Sequence, residues 1–113
     1  MFDSVSYVAM NSALDGLSLR QRVIADNVAN IQTPGFRAGR VSFEDALRQA
    51  VGEGSGAVSA SRSRSLDATR LDGNNVNLDT ETLSNVDTNL RYQLILRALD
   101  GKYSSLRTVI RGQ

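Results

Sequence analysis

Asp72-Gly73-Asn74 opens like a calcium loop, in which oxygen ligands alternate along a turn of about twelve residues. The likeness ends there. The fifth position is Val76, the sixth carries no glycine, and the twelfth is Leu83 where a bidentate carboxylate belongs. Ser61-Arg62-Ser63-Arg64-Ser65 could touch phosphate, but two arginines without interleaved aromatics read better as a solvated segment. Glu44 and Asp45 are the closest carboxylates, and adjacent helical residues point to different sides, so they form no acid–base pair. Gly54-Ser55-Gly56 lacks the spacing of a nucleophile elbow. The chain has no Cys and no His, which removes thiol nucleophiles, imidazole bases and nearly all zinc, copper or haem ligation. The expectation is a protein that is not an enzyme, with no catalytic, metal or cofactor site.

One segment rises above this background: Asn27-Val28-Ala29-Asn30-Ile31-Gln32-Thr33-Pro34-Gly35-Phe36. Two asparagines three apart near a helix end share a face and can bond the backbone of the following turn. A single Asn or Gly would suffice to end a helix, so this segment exceeds what termination requires.

The elements that must hold these residues follow from periodicity. From about Ser4 to Ile31, Met10, Leu14, Leu17, Ile24, Val28 and Ile31 recur at steps of three and four, with Gln21 interrupting, as on a long amphipathic helix. Pro34 and Gly35 stop it, because the residue before Pro leaves helical space and Gly accepts positive φ. Thr33-Pro34-Gly35-Phe36 therefore reads as a type II turn. Phe43, Ala46, Leu47, Ala50 and Val51 mark a short second helix over 37–51, with Ser42 as its N-cap and Glu44 and Asp45 in its first turn. Residues 52–65 have almost nothing to bury and are expected to be a flexible linker. Over 66–79, short extended pieces flank the Asp72–Asn75 turn and form at most a small hairpin, which alone is marginal in water.

Residues 80–113 read as a second long helix, capped by Asp79 with Leu78 stapled to Leu83. Tyr92, Leu96, Leu99, Tyr103, Leu106 and Ile110 make its main stripe, and Leu83, Val86, Leu90 and Leu94 an offset one. The fold class is thus mainly α: long terminal helices packed as a coiled-coil-like pair around a turn-rich middle. Periodicity leaves two outcomes open. The helices can pair as a self-contained hairpin, or surplus apolar surface can drive oligomerisation and leave the lone monomer poorly ordered.

The totals agree with one small domain. The chain has 113 residues, 41% hydrophobic but only 5% aromatic with no Trp, so its core is aliphatic and thin. The net charge of +1 gives no global field for nucleic acid or anionic membrane. No run approaches the ~18 apolar residues of a membrane span, and Met1-Phe2-Asp3-Ser4 does not begin a secretory signal.

At Asn27–Phe36 the sequence resembles the flagellar basal-body rod and hook family, whose signature is an Asn-x-x-Asn helix end followed by Thr-Pro-Gly and an aromatic. Leu19, Arg22, Ile24, Ala25, Asn27, Ala29, Asn30, Thr33, Pro34, Gly35 and Phe36 fall in register with it. The run Asp72-Gly73-Asn74-Asn75-Val76-Asn77-Leu78-Asp79, then Glu81, Asn89, Tyr92 and Gln93, narrows the likeness to proximal rod members. Asn77 stands where that family often has Asp, Ser84 where it often has Ala, and the linker is shorter. The resemblance implies a structural subunit of the torque-transmitting axial shaft in the periplasm, exported without a cleaved signal. Its expected partners are copies of itself, other rod subunits, and export and ring components, with no nucleic acid and no membrane span. Gly73, Asn74, Asn75 and Val76 join the N-terminal motif as signature residues. Leu14, Leu17, Ile24, Val28, Tyr92, Leu96, Leu99, Leu106 and Ile110 are the expected subunit-packing residues. Another rod or hook component, or a helical adaptor folding on one protein partner, are the alternatives.

Overall fold

The structure, a computed structural model, describes the backbone of residues 2–110 and the side chains of all of these except 2, 3, 103, 105, 106, 108 and 109. Leu106 and Tyr103 of the expected stripe thus lie outside the described side chains. In chain order the elements are α1 (Phe2–Ala29), β1 (Gly39–Ser42), α2 (Glu44–Gly52), β2 (Ser61–Arg64) and α3 (Leu78–Ile110). The two long helices run antiparallel. Asn27 of α1 meets Glu81 of α3, Gln21 Nε2 donates to Asn89 Oδ1 at 2.5 Å, and Lys102 Nζ lies 5.7 Å from the Tyr7 ring centroid. Helices of this length give an elongated molecule of 65 × 26 × 14 Å.

The buried face of α1 carries Ala13, Leu17, Val23, Ile24 and Asn27. It shares Leu17 and Ile24 with the stripe expected from sequence. Val28 instead is 40% exposed, and Met10, Leu14 and Ile31 are half-buried. The face is wider than a coiled-coil seam because α1 is covered from two directions, by α3 and by the β1–α2 segment. The Phe43 ring lies directly on Gly16, where a Cβ would come within 2.5 Å of it. Ala13, Leu17, Val23, Val41 and Phe43 form the core, with Leu47, Tyr92 and Ile95 packed against it.

On α3, Glu81 and Thr88 are buried, and Ser84, Tyr92, Ile95, Leu99 and Lys102 half-buried, again at steps of three and four. Leu96 is 40% and Ile110 75% exposed. The offset stripe of Leu83, Val86, Leu90 and Leu94 is 57–72% exposed. At 100° per residue Leu83, Val86 and Leu90 fall on the side of α3 turned away from α1, while Leu94 borders an open groove between α1, α2 and α3.

The middle and the start of α3 differ from expectation in five places. Ser61–Arg64, expected as linker, is a strand pairing antiparallel with β1, Gly39 opposite Arg64 and Ser42 opposite Ser61. The pairing satisfies the polar backbone of β1, and Ser65 N–H extends it to Ala38 O at 2.7 Å. Residues 66–78 contain no hairpin; the two-stranded sheet is built from 39–42 and 61–64 instead. Ser42 ends β1, so Phe43 occupies the N-cap of α2 without a side-chain cap bond. The cap of α3 is Asn77, whose Oδ1 accepts from Thr80 N–H at 3.1 Å, two residues before Asp79. Leu78 and Leu83, the expected staple, are both exposed. Between the strands, Ser12 Oγ holds the returning chain on α1. It donates to Gly56 O at 2.8 Å and accepts from Val58 N–H at 3.2 Å.

Candidate functional site

The residues singled out by sequence converge at the end of the helical hairpin where α1 stops and α3 starts. Three amides are buried there: Asn27 and Asn74 at 0% exposure, Asn75 at 8%. A buried primary amide costs free energy unless its donors and acceptor are all engaged. Each of the three meets that condition, and each reaches at least one partner far along the chain.

Asn27 projects from the last turn of α1. Its Oδ1 accepts from Gly39 N–H at 2.7 Å, and its Nδ2 donates to Gly39 O at 3.1 Å and Glu81 Oε1 at 2.8 Å. It thus imitates a strand partner for the first residue of β1 while reaching α3. Gly39 is required at this approach, since a Cβ would come within 2.7 Å of Val23 Cγ1. Glu81 is only 1% exposed, and its second oxygen accepts from Arg40 Nη1 at 3.1 Å. One carboxylate therefore joins α1, β1 and α3.

The turn after α1 is held from below. Asn30 donates to Asp26 O at 2.8 Å and accepts from Thr33 Oγ1 at 3.0 Å. Phe36 N–H closes on Thr33 O at 3.2 Å, with Gly35 at φ +75°, as the expected turn demands. Asn74 then binds this turn: its Nδ2 donates to Asn30 O and Thr33 O, both at 2.9 Å. Its Oδ1 accepts from Val76 N–H at 2.7 Å. Gly35 N–H also donates to Asp72 O at 2.8 Å. Gly73, at φ +84°, packs so close that an added Cβ would lie 3.2 Å from Gly35 Cα. Asn75 completes the knot. Its Oδ1 accepts from Ala38 N–H at 2.7 Å, and its Nδ2 donates to Ser65 O and Asp67 O at 3.3 and 3.1 Å. Arg70 caps the same end, donating to Val76 O at 2.7 Å and Ile31 O at 2.5 Å.

The two signature runs, forty residues apart, are therefore one interlocked polar knot. Every hydrogen bond of its three amides goes to the chain itself. What the arrangement does chemically is fix the path of the backbone between the two helices; among the described residues no group of three His, Cys, Asp or Glu is placed to hold a metal. Val76, 1% exposed, is the apolar floor of the second run. Thr33, Pro34 and Gly35 remain exposed, and Phe36 is half-buried beneath the Arg64 guanidinium, 5.2 Å from the ring centroid. Arg62 pairs with Asp26 at 3.3 Å, so both arginines of β2 are engaged within the chain.

Four contributors, Gly39, Arg40, Arg70 and Glu81, are not sites expected from the sequence. Glu81 appeared there only within the resemblance, and Arg40 and Gly39 carried no signal because their partners are distant in sequence. A separate ion pair anchors α2: Arg20 grips Glu44 through Nη1–Oε2 at 2.6 Å and Nη2–Oε1 at 2.9 Å. The Arg20 hydrogen bonds, working against partial burial, lower the Glu44 carboxyl from 4.5 to about 2. Arg91 of α3 stands 3.7 Å from the same carboxylate.

Of the expected packing residues, Leu17 and Ile24 lie in the chain's own core, at 1% and 6% exposure. Leu14, Tyr92 and Leu99 are half-buried, while Val28, Leu96 and Ile110 are exposed. The structure thus divides that set between the interior and the surface.

A family model described as flagella basal body rod protein matches residues 7–37, which contain the whole first signature run. Curated relatives extend the match across the second run. The flagellar basal body rod protein FlgB of Bacillus subtilis is 31% identical, over 91% of this chain and 91% of its own. The protein of the same name from Borrelia hermsii is 34% identical over 87% of this chain and 90% of its own. That of Escherichia coli is 30% identical over 87% of both.

Proposed function

The chain belongs to the FlgB family of flagellar basal body rod proteins, structural subunits rather than enzymes, and from that membership we propose how it builds the rod. It polymerises through its terminal helices in the proximal, periplasmic part of the shaft, reached by export without a cleaved signal. Its partners there are copies of itself, adjoining rod subunits, and export and ring components at the base. The observation that carries this reading is the outward stripe of α3. Leu83, Val86 and Leu90 line the side turned away from α1 and stay 57–72% exposed. Apolar surface aligned along a long helix is stabilised when a neighbouring helix covers it. Torque then passes between subunits through the packed helices.

The signature residues take a different role in this reading. Asn27, Asn30, Thr33, Pro34, Gly35, Phe36, Gly73, Asn74, Asn75 and Val76 are a clamp that fixes how α1 and α3 leave the middle region, so that every copy presents the same faces. The exposed members of the packing set, Val28, Leu96 and Ile110, extend the intersubunit surface beyond the outward stripe.

Replacing Leu83 and Leu90 together by Asp tests the reading. The purified subunit keeps its helix content, whereas isolated basal bodies lack it and cells do not swim. Normal incorporation and swimming would overturn the account of helix packing.

A further inference from the structure

The two edges of the β1–β2 sheet differ in what covers them. Ser65 N–H bonds Ala38 O at 2.7 Å, and the register sets Gly39 opposite Arg64 and Val41 opposite Arg62. Bonded pairs alternate along an antiparallel ladder, so Arg40–Ser63 and Ser42–Ser61 are bonded. The residues between them turn their N–H and C=O groups outward. On β1 these outward groups are met by α1. Asn27 takes both the N–H and the C=O of Gly39, and Arg20 Nη2 donates to Val41 O at 2.6 Å. Two side chains thus stand where a further strand would. On β2 the outward groups belong to Arg62 and Arg64, and no hydrogen bond reaches them from the described residues. The strand is exposed along its whole length, with no proline, lysine or bulge to deter pairing.

Charge narrows what can pair there. Arg62 and Arg64 project on one face of the sheet, the face of Gly39, whose added Cβ would lie 3.7 Å from Arg62 Nε. Arg37 adjoins them, its O accepting from Arg64 Nη1 at 3.1 Å. Against these guanidinium groups stands the Asp26 carboxylate, paired with Arg62 at 3.3 Å. Arg64 rests on the Phe36 ring and the Arg37 carbonyl, and neither contact neutralises it. The other acids nearby are directed elsewhere. Asp72 lies 3.9 Å from Arg70, and Glu81 pairs with Arg40. Asp67 lines a cavity with Arg40 and Arg70, and Arg40 projects from the opposite face of the sheet.

We propose that the outer edge of β2 receives an extended segment of another protein as a third strand, with Asp or Glu at alternate positions facing Arg62 and Arg64. Main-chain bonds to those two residues give the contact its affinity, and the alternating acids its choice of partner. A second copy does not fit this description. Its own β2, paired across a two-fold axis, sets arginines against arginines. Outside its helices the acids are Glu53, Asp67 and Asp72, never two at alternate positions. The inference is independent of the helix packing proposed above, because no residue of the α3 stripe enters it.

The test uses the purified full-length chain and a synthetic peptide of alternating Thr and Glu, with amide hydrogen exchange followed residue by residue. In the free chain Arg62 and Arg64 exchange fast, whereas Ser63, bonded to β1, exchanges slowly. The Thr-Glu peptide slows Arg62 and Arg64 several-fold, and a peptide of alternating Thr and Lys does not. No slowing by the Thr-Glu peptide overturns the proposal. Equal slowing by both peptides overturns the acidic partner. Slowing that appears when the chain is concentrated without peptide means that a second copy takes the edge, which overturns it too. Arg37→Gln with Arg64→Gln keeps the backbone edge and weakens the Thr-Glu peptide several-fold; unchanged binding counts against the charge complement. Arg64→Pro removes an outward N–H while leaving the bonds to β1, so Ser63 stays protected and the peptide no longer binds. Should that variant lose protection at Ser63, the measurements on the native chain decide alone.

Discussion

In its first turn α3 buries a carboxylate, and over the following turns it leaves leucines in water. Glu81 is 1% exposed, while Leu83, only two residues later, is 72% exposed and Leu90 57%. This reverses the usual distribution, in which charged side chains face solvent and leucines the core. Direction of interaction explains the reversal. A buried carboxylate or amide tolerates only partners of matching geometry, so the set formed by Asn27, Gly39, Arg40 and Glu81 permits one arrangement of the chain. An exposed leucine stripe accepts any apolar face that reaches it. One end of α3 therefore specifies the monomer, and the outward stripe is left for assembly.

The contrast breaks most visibly at Arg40. Arg40→Met leaves the buried Glu81 carboxylate with Asn27 as its remaining side-chain partner; removing one member of a fully buried pair costs about 3–5 kcal/mol, and because the Arg40 side chain is 36% exposed the loss here is about 3 kcal/mol. Chemical denaturation of the purified subunit reads this as a lower midpoint at unchanged slope. A loss below about 1 kcal/mol would mean that the knot does not specify the fold.

Next in size is a pair of glycines within the knot. Gly35→Ala meets nothing within 4 Å and carries only the strain of positive φ, about 1–2 kcal/mol. Gly73→Ala bears similar strain and also drives a methyl to 3.2 Å from Gly35 Cα, so its loss is larger, about 2–3 kcal/mol. The difference between the two midpoints measures the interlock of the signature runs. Equal losses would mean that the runs merely adjoin.

How much of this was legible in the sequence depends on how far each signal reaches. The long helices and the Pro34-Gly35 turn are local patterns and lie where periodicity and backbone chemistry put them. The strand Ser61-Arg62-Ser63-Arg64 looks like linker because its reason for being extended is β1, some twenty residues upstream. The inner face of α1 departs from its apolar pattern at Asn27 and Val28 for the same reason. An apolar count favours Val28, but Gly39 and Glu81 draw Asn27 inward. The α3 cap moved to Asn77 because an Asn side chain caps as well as Asp, and composition cannot choose between them. The signature residues were visible as exceptional; that they bind each other was not, since nothing in either run names the other.

A smaller effect separates the knot from the ion pair at α2. Glu44 has a folded pKa lowered to about 2, so its contribution is complete above about pH 4.5 and is lost as pH falls toward 2. Its side chain is 37% exposed, which screens the pair to about 1 kcal/mol or less. The stability gap between the native chain and Glu44→Gln should stay constant above about pH 4.5 and close below it. A gap that widens on acidification would contradict the Arg20 assignment.

The smallest expected effect on the monomer is also the sharpest test of the division of labour. Leu83 and Leu90 are 72% and 57% exposed on the side of α3 facing away from α1. Changing each to Asp removes little buried surface, and substitutions at such positions typically move stability by no more than about 0.5 kcal/mol. Asp is a poorer helix former than Leu, at a cost of up to about 0.7 kcal/mol per site. The doubly substituted subunit should therefore unfold close to the native midpoint even though it is expected to be excluded from basal bodies. A loss of several kcal/mol would show the stripe to be part of the monomer's own fold, and the exclusion would then say nothing about assembly. Near-native stability together with exclusion is the combination that a misfolded subunit cannot produce.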